Sequence, residues 1–216
     1  MTCCRHCEDS SDLFNRRRAR GDLRRYRSQG PSATTRLLLD ALLEQRSDDQ
    51  TLLDIGGGVG TIPHELLPAG FSQAVQVDAS AAYLAVSEQE ADRRGHRDRI
   101  TYHHGDFVDL APGLADADVV TLDRVLCCYP DVERLVTSSA AKAQHLYGVV
   151  FPRERVITRV GTVLANVWFR LRGSAFRTYL HPTEQVESTL HRCGFRRTSY
   201  AQSFLGQIAT YARSAR

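Results

Sequence analysis

The 216-residue chain predicts an α/β domain organised on a mostly parallel sheet. Short apolar runs alternate with longer helical stretches; the run Leu52-Leu53-Asp54-Ile55 breaks into Gly56-Gly57-Gly58-Val59-Gly60; and a second run, Val77-Asp78, again ends on an acid. Parallel strands need crossover connections, usually helices, so the alternation favours this class. A strand-to-helix turn that meets a ligand through its backbone must tolerate unusual φ and carry no obstructing Cβ, which Gly56 and Gly58 allow. Asp78 stands 22 positions after Gly56, close to the spacing of about twenty at which an acid meets ribose hydroxyls. These features together mark a nucleotide-type cofactor site.

The elements follow in order. A helical part from about Ser11 to Leu43 comes first, with Leu37, Leu38, Ala41 and Leu42 on one face of a helix that starts at Pro31-Ser32. After the glycine loop, Thr61 and Pro63 suit the first turn of a helix that runs to Leu67 and stops at Pro68 and Gly70. Ser80 caps the next helix, which ends at Arg94-Gly95. Strands are expected at 100–107 and 117–123, a helix at 132–144 and a strand at 146–151. Val156, Ile157, Val160, Val163, Leu164, Val167, Trp168 and Leu171 then keep an i, i+3, i+4 rhythm, an amphipathic helix whose stripe is expected to pack on the core. A helix at 183–193 ends at Gly194, and strands follow at 195–200 and 206–212.

Composition agrees with a single domain, since 42% hydrophobic content over this length can bury a core. No apolar run is long enough to span a bilayer, and the arginine-rich start lacks the apolar centre of a secretory signal, so a cytoplasmic location is expected. Six cysteines, Cys3, Cys4, Cys7, Cys127, Cys128 and Cys193, suit a reducing compartment better than a disulfide framework. Cys3, Cys4, His6 and Cys7 have zinc-binding chemistry, yet no second ligand pair follows at finger distance, and no metal is expected.

The dinucleotide fingerprint needs a third glycine at position 61, where Thr61 stands. Asp54-x-Gly56-x-Gly58-x-Gly60 instead resembles the first motif of class I S-adenosylmethionine-dependent methyltransferases. That resemblance runs from about Leu52 to the C-terminus. It implies a Rossmann-like sheet of seven strands, the last antiparallel, with helices on both faces, an N-terminal helical cap and a helical insertion after the fifth strand. It divides the chain into a leader and cap at 1–45 and a methyltransferase domain at 46–216, together one structural unit.

The resemblance also implies residue roles. Gly56, Gly57 and Gly58 would let the loop approach the methionine part of S-adenosylmethionine, and Asp54 would reach its amino group directly or through water. Asp78, with Ala79 beside it, would hold the ribose hydroxyls. Asp106 would cap the adenine amino group, Phe107 would lie near the ring, and Asp123 would end the fourth strand, which opens onto the transferring methyl. The segment 123–131 and the later Phe151-Pro152-Arg153 are similar to magnesium-protoporphyrin O-methyltransferases. In-line methyl transfer chiefly demands alignment in a dry pocket. Where the acceptor needs a base, Tyr129 and His181 are the catalytic candidates, ahead of His103 and His104.

Charge is uneven: 1–30 holds eight Arg against four acids, and 153–177 six Arg against one Glu. If both segments cover the site, guanidinium groups including Arg24, Arg25 and Arg172 line its entrance and suit an anionic small-molecule acceptor, O-methylation being favoured. Nucleic acid is not expected, because the arginines are not interleaved with aromatics and no binding module is recognisable. The basic amphipathic helix permits weak peripheral membrane contact. A non-enzymatic cofactor- or partner-binding protein on the same fold is an alternative, as is a cysteine-dependent arsenical methyltransferase using Cys127 and Cys128. The oligomeric state is not legible.

Overall fold

The computed structural model of the chain describes residues 13–214. The Cys3/Cys4/His6/Cys7 cluster lies outside them. Helices α1 (Arg16–Gln29) and α2 (Ala33–Glu44) precede β1 (Thr51–Ile55), and α3 (Thr61–Leu66), β2 (Gln73–Asp78), α4 (Ala81–Arg94) and β3 (Ile100–His104) follow. Next come α5 (Phe107–Leu110), β4 (Ala117–Asp123), α6 (Val132–Lys142), β5 (Ala143–Pro152), α7 (Val156–Leu171), α8 (Thr183–Arg192), β6 (Phe195–Gln202) and β7 (Gly206–Arg213).

The seven strands form one sheet in the order β3-β2-β1-β4-β5-β7-β6, with the first five parallel and β7 antiparallel to both its neighbours. Strand order reverses between β1 and β4, so a crevice opens at the carboxyl ends there. Register sharpens this, because Ile55 pairs with Val77 on one side and Leu122 on the other, and Asp78 pairs with His104. The ends of four strands therefore share one edge.

Both faces of the sheet are covered. Val119 and Val120 are neighbours in sequence but join opposite core clusters, as do Val149 and Val150, which is what a strand buried on both faces requires. One cluster sets Val120, Leu122, Tyr147 and Phe151 against Val136 of α6 and Leu190 of α8. The other sets Leu52 and Val119 against Leu38 and Leu42 of α2 and Leu66 of α3. Each such buried aliphatic side chain contributes about 1.5–3 kcal/mol.

Local chemistry explains the boundaries. The helical leader divides at Gly30, whose φ of 74° ends α1, and Ser32 accepts the Thr35 N–H at the start of α2. Ser80 caps α4 through the Tyr83 N–H, and Gly95 closes it in the left-handed region. The expected helix at 132–144 gives way at Ala143, and β5 starts there rather than at Leu146. Gln144 and His145 are exposed near the strand's start, which removes the apolar signal of a strand.

A larger difference concerns α7. Its span matches the expected helix, but none of its residues is buried, and the stripe faces away from the core. Periodicity shows that a helix has an apolar face, not what covers it. The half-buried Thr162, Ala165, Asn166 and Phe169 turn inward instead, and the Asn166 amide pairs with the Thr178 backbone at 2.8 Å through both its oxygen and its nitrogen.

Helix α1 is fastened to the body by polar contacts as well as by buried Ala19, Leu23 and Tyr26. The Tyr26 hydroxyl donates to Glu65 at 2.5 Å, and Arg27 Nε donates at 2.8 Å to Glu90. Glu90 is fully buried yet also receives Arg93 and Arg94 of its own helix, at 2.5 and 2.8 Å. Burial alone would raise its pKa, but hydrogen bonds from Arg93, Arg94 and Arg27 outweigh it and hold the carboxylate well below the usual range. Glu90→Gln removes the charge that three guanidinium groups share and should lower unfolding free energy by about 2 kcal/mol. A depressed folded-state pKa gives stability above the ordinary value of 4.5 that is lost on acidification. Urea unfolding should accordingly show the variant's deficit at pH 7 shrinking towards pH 3; a constant deficit would contradict the ion cluster.

Candidate active site

The crevice holds a cavity of about 410 Å³ between the carboxyl ends of β1, β2 and β4, the start of α5 and the inner face of α1. Its floor is the glycine loop. Gly56 and Gly58 have φ of 64° and 56°, and a Cβ on Gly56 would clash with Val125. Gly57 faces the other way: a Cβ there would strike Asp54 Oδ2 and Gln76, so this glycine lets the loop close over what lies beneath.

What lies beneath is Asp54, which is 1% exposed. One carboxyl oxygen accepts the Thr121 hydroxyl at 2.7 Å, and Oδ2 is a buried atom with no hydrogen-bond partner among the described residues. Burial pushes its pKa up to about 8, against the Thr121 hydrogen bond and with the nearby Asp123 and Asp78 charges adding to the rise. Asp54 and Gly57 are not on the cavity wall; Asp54 lies directly under Gly57, its Oδ2 where a Cβ on that glycine would fall.

Asp78 does line the cavity and organises its rim. Oδ2 accepts the Gly58 N–H at 2.9 Å and Oδ1 the Ser80 N–H at 2.7 Å, which joins the two strand-end loops through one carboxylate. Burial raises its pKa, opposed by these two backbone hydrogen bonds. Ala79 lies beside it on the wall. Asp106 caps α5 by accepting the Val108 N–H at 2.9 Å, and Phe107 adds an apolar surface. Asp123 Oδ2 accepts the Thr35 hydroxyl of α2 at 2.6 Å, while its other oxygen receives Arg124 Nε at 3.1 Å.

The catalytic candidates separate. Tyr129 is on the wall, its hydroxyl donating to both oxygens of Asp106 at 3.1 and 3.2 Å. Burial, reinforced by Asp106, pushes its pKa well above the usual tyrosine value, which disfavours a phenolate base. His181 is not on the wall: Nε2 donates to the Tyr129 carbonyl at 2.9 Å and the ring stacks on Tyr179, so it supports the loop that carries Tyr129. His104 donates to the Ala79 carbonyl at 3.1 Å, and neither it nor His103 lines the cavity. Cys128 is on the wall with its sulfur 3.7 Å from that of Cys127.

Sequence reasoning expected the N-terminal helix at the site but missed which of its residues reach it. Phe14, Arg18 and Asp22 line the cavity, with the Tyr83 hydroxyl donating to Asp22 and the Ser80 hydroxyl to the Phe14 carbonyl at 2.7 Å. The guanidinium of Arg18 lies 5.2 Å from the Phe14 ring centroid, and no carboxylate pairs with it among the described residues. Arg24, Arg25 and Arg172 are exposed and are not on the wall, so the arginines at the mouth are Arg18 and Arg124. One-turn spacing from Arg18 to Asp22 was the available signal. Arg124 takes φ of 61°, the left-handed region that non-glycine residues seldom adopt.

Residues 53–141 match a sequence-family model described as a methyltransferase domain. Over 109 residues the chain is 28% identical to a ribosomal protein L11 methyltransferase of Desulfitobacterium hafniense, a match covering 50% of this chain and 35% of the relative. The chain thus spans about a third of the length of that curated relative. Among solved structures it is similar to magnesium protoporphyrin IX methyltransferase from Synechocystis with bound SAH, with a TM-score of 0.72 at 18% identity, covering 97% of this chain and all of that one. An O-methyltransferase family 2 protein from Planctomyces limnophilus in complex with apigenin gives a TM-score of 0.62 at 16% identity, covering 87% and 63% of the two chains.

The residues present fit S-adenosylmethionine. The glycine floor leaves no Cβ in its way, the Asp78 carboxylate stands at the end of β2 where ribose hydroxyls are met, and Phe107 with Leu135 offers an apolar surface for a base.

Asp54 supplies a test independent of ligand. A carboxyl whose folded pKa lies near 8 against an ordinary 3.8 favours folding fully below 3.8 and loses that contribution as pH rises to 8. Denaturant midpoints of the wild type should therefore fall more steeply between pH 5 and 8 than those of Asp54→Asn, which cannot ionise. Parallel profiles would show that the buried carboxyl is not held neutral.

Proposed function

We propose that this chain, an S-adenosylmethionine-dependent methyltransferase whose methyltransferase domain includes residues 53–141, methylates an oxygen of a small anionic acceptor. The leading observation is the pairing of Arg18 with Arg124 at the mouth of a cavity whose acids are otherwise engaged. Asp22 is bonded to Tyr83, Asp78 to two backbone N–H groups, Asp106 to Val108 and Tyr129, and Asp123 to Thr35 and Arg124. An incoming carboxylate or phosphate meets the guanidinium of Arg18 and the groups of Arg124 not already on Asp123, and a planar fork suits such anions bidentately.

In this reading residues 1–45 act as a leader and cap over the domain at 46–216. Gly56, Gly58, Asp78, Ala79, Asp106, Phe107 and Asp123 hold the cofactor, Asp54 lies under Gly57 of the loop, and Tyr129 fixes Asp106. Bound S-adenosylmethionine supplies an electrophilic methyl on a sulfonium. The protein's part is alignment and exclusion of water: α1 and Phe14 roof the cavity, and Arg18 with Arg124 turns the acceptor's charged end outward so that its nucleophilic oxygen points in. Where the inward nucleophile is a second carboxylate of the acceptor, it would already be ionised and need no base, which agrees with there being no histidine among the described lining residues.

A second reading, thiol-assisted methylation of an arsenical, is favoured by the Cys127 and Cys128 sulfurs 3.7 Å apart, one of them on the wall. Labelled cofactor incubated with acidic and neutral metabolite fractions separates the readings. Label should enter the acidic fraction, and Arg18→Gln should raise the acceptor KM about tenfold while leaving cofactor affinity unchanged. Label incorporated only with the neutral metabolite fraction as acceptor would overturn the anionic acceptor. Transfer to arsenite that Cys128→Ser abolishes would favour the thiol reading.

A further inference from the structure

Helix α7 presents its apolar side to solvent. Val156 and Leu171 are 78% and 82% exposed, Val163 and Leu164 are similarly bare, and Trp168 is 46% exposed. The turn between β6 and β7 continues the surface with exposed Phe204 and Leu205, joined to the start of α7 by Arg155 over the Phe204 ring at 5.3 Å. A contiguous face of this kind on a chain with its own filled core marks a contact surface.

Charge selects the occupant. At 100° per residue Arg159 and Arg170 fall on one edge of the stripe and Arg172 on the other, where its guanidinium lies 4.2 Å from the Trp168 ring centroid. The segment 153–177 carries six Arg against Glu154 as its one acid. Two copies pressed stripe to stripe, parallel or antiparallel, would set arginine edge against arginine edge. An apolar stripe between cationic edges with a tryptophan at one margin matches instead a layer of anionic headgroups above acyl chains. The described residues include no helix long and apolar enough to cross a membrane, so α7 would lie along the surface.

We propose that α7, with Phe204 and Leu205, docks the protein on an anionic lipid bilayer. Phe169 on its inner side meets Phe176 at 5.1 Å between ring centroids, and Phe176 meets Phe14 of the cavity wall at 5.9 Å. The docked helix therefore sets the cavity mouth near the lipid surface.

Flotation of the full chain with vesicles of phosphatidylcholine, and of phosphatidylcholine with about one-third phosphatidylglycerol, tests this directly. The protein should float with the phosphatidylglycerol vesicles and not with phosphatidylcholine alone, and salt should weaken the association. A Leu164→Glu, Trp168→Glu double variant, altered at exposed positions only, should lose at least about tenfold in vesicle affinity while keeping its far-UV spectrum and cofactor binding. Absence of flotation, or equal flotation of the variant, would overturn the proposal. So would a concentration-dependent dimer that the same substitutions dissociate in the absence of vesicle binding, which would assign the face to a second copy.

Discussion

Everything at the crevice depends on the carboxylate of Asp78 holding two backbone N–H groups, one from each of the loops that leave β1 and β2. The glycine loop has left-handed residues at 56, 58 and 60, and Val59 is its one side chain beyond glycine, buried against Tyr83 and Val86. A charge-assisted hydrogen bond to the Gly58 N–H joins the Gln76 amide on the Gly58 carbonyl in fixing the loop, and the Asp78 carboxylate also stands on the cavity wall. Structural support and a place on the cavity wall are thus concentrated in a single side chain, while Asp54 is buried under Gly57 of the same loop.

The roof is fixed by different means. Helix α1 joins the body through buried Ala19, Leu23 and Tyr26 and through polar contacts in both directions, Arg27 and Tyr26 donating to Glu90 and Glu65 and its own Asp22 accepting the Tyr83 hydroxyl, whereas α2 is packed into the core and reaches the site through the hydroxyl of Thr35 on Asp123. Displacing α1 would strip Arg27 from the buried Glu90 and uncover Ala19, Leu23 and Tyr26. Displacing α2 would open the larger core.

The ends of β1, β2 and β4 and their acids were legible in the sequence because apolar runs stop where the chain turns, whereas the strand expected at 100–107 ends at His104 and Asp106 caps the next helix instead. The parallel order followed from the alternation of elements, and the helix at 156–171 from its period. What remained hidden depends on long-range pairing. Nothing local says that Arg18 rather than Arg24 or Arg25 points at the cavity, since all lie on one polar helix. Nor does His181 before Pro182 reveal that its ring is committed to the Tyr129 carbonyl. The outward turn of α7 was illegible for the same reason: a moment has a direction within the helix and none relative to the body.

Arg124 illustrates a tension between backbone and side chain. At φ of 61° a glycine would rest without strain, whereas an arginine stores about 1–3 kcal/mol that the surrounding turn, with its N–H on the Val150 carbonyl at 2.8 Å, must contain. A guanidinium at the mouth thus comes at the expense of fold stability, and natural drift towards glycine here would harden the molecule while erasing one of its two positive gateposts.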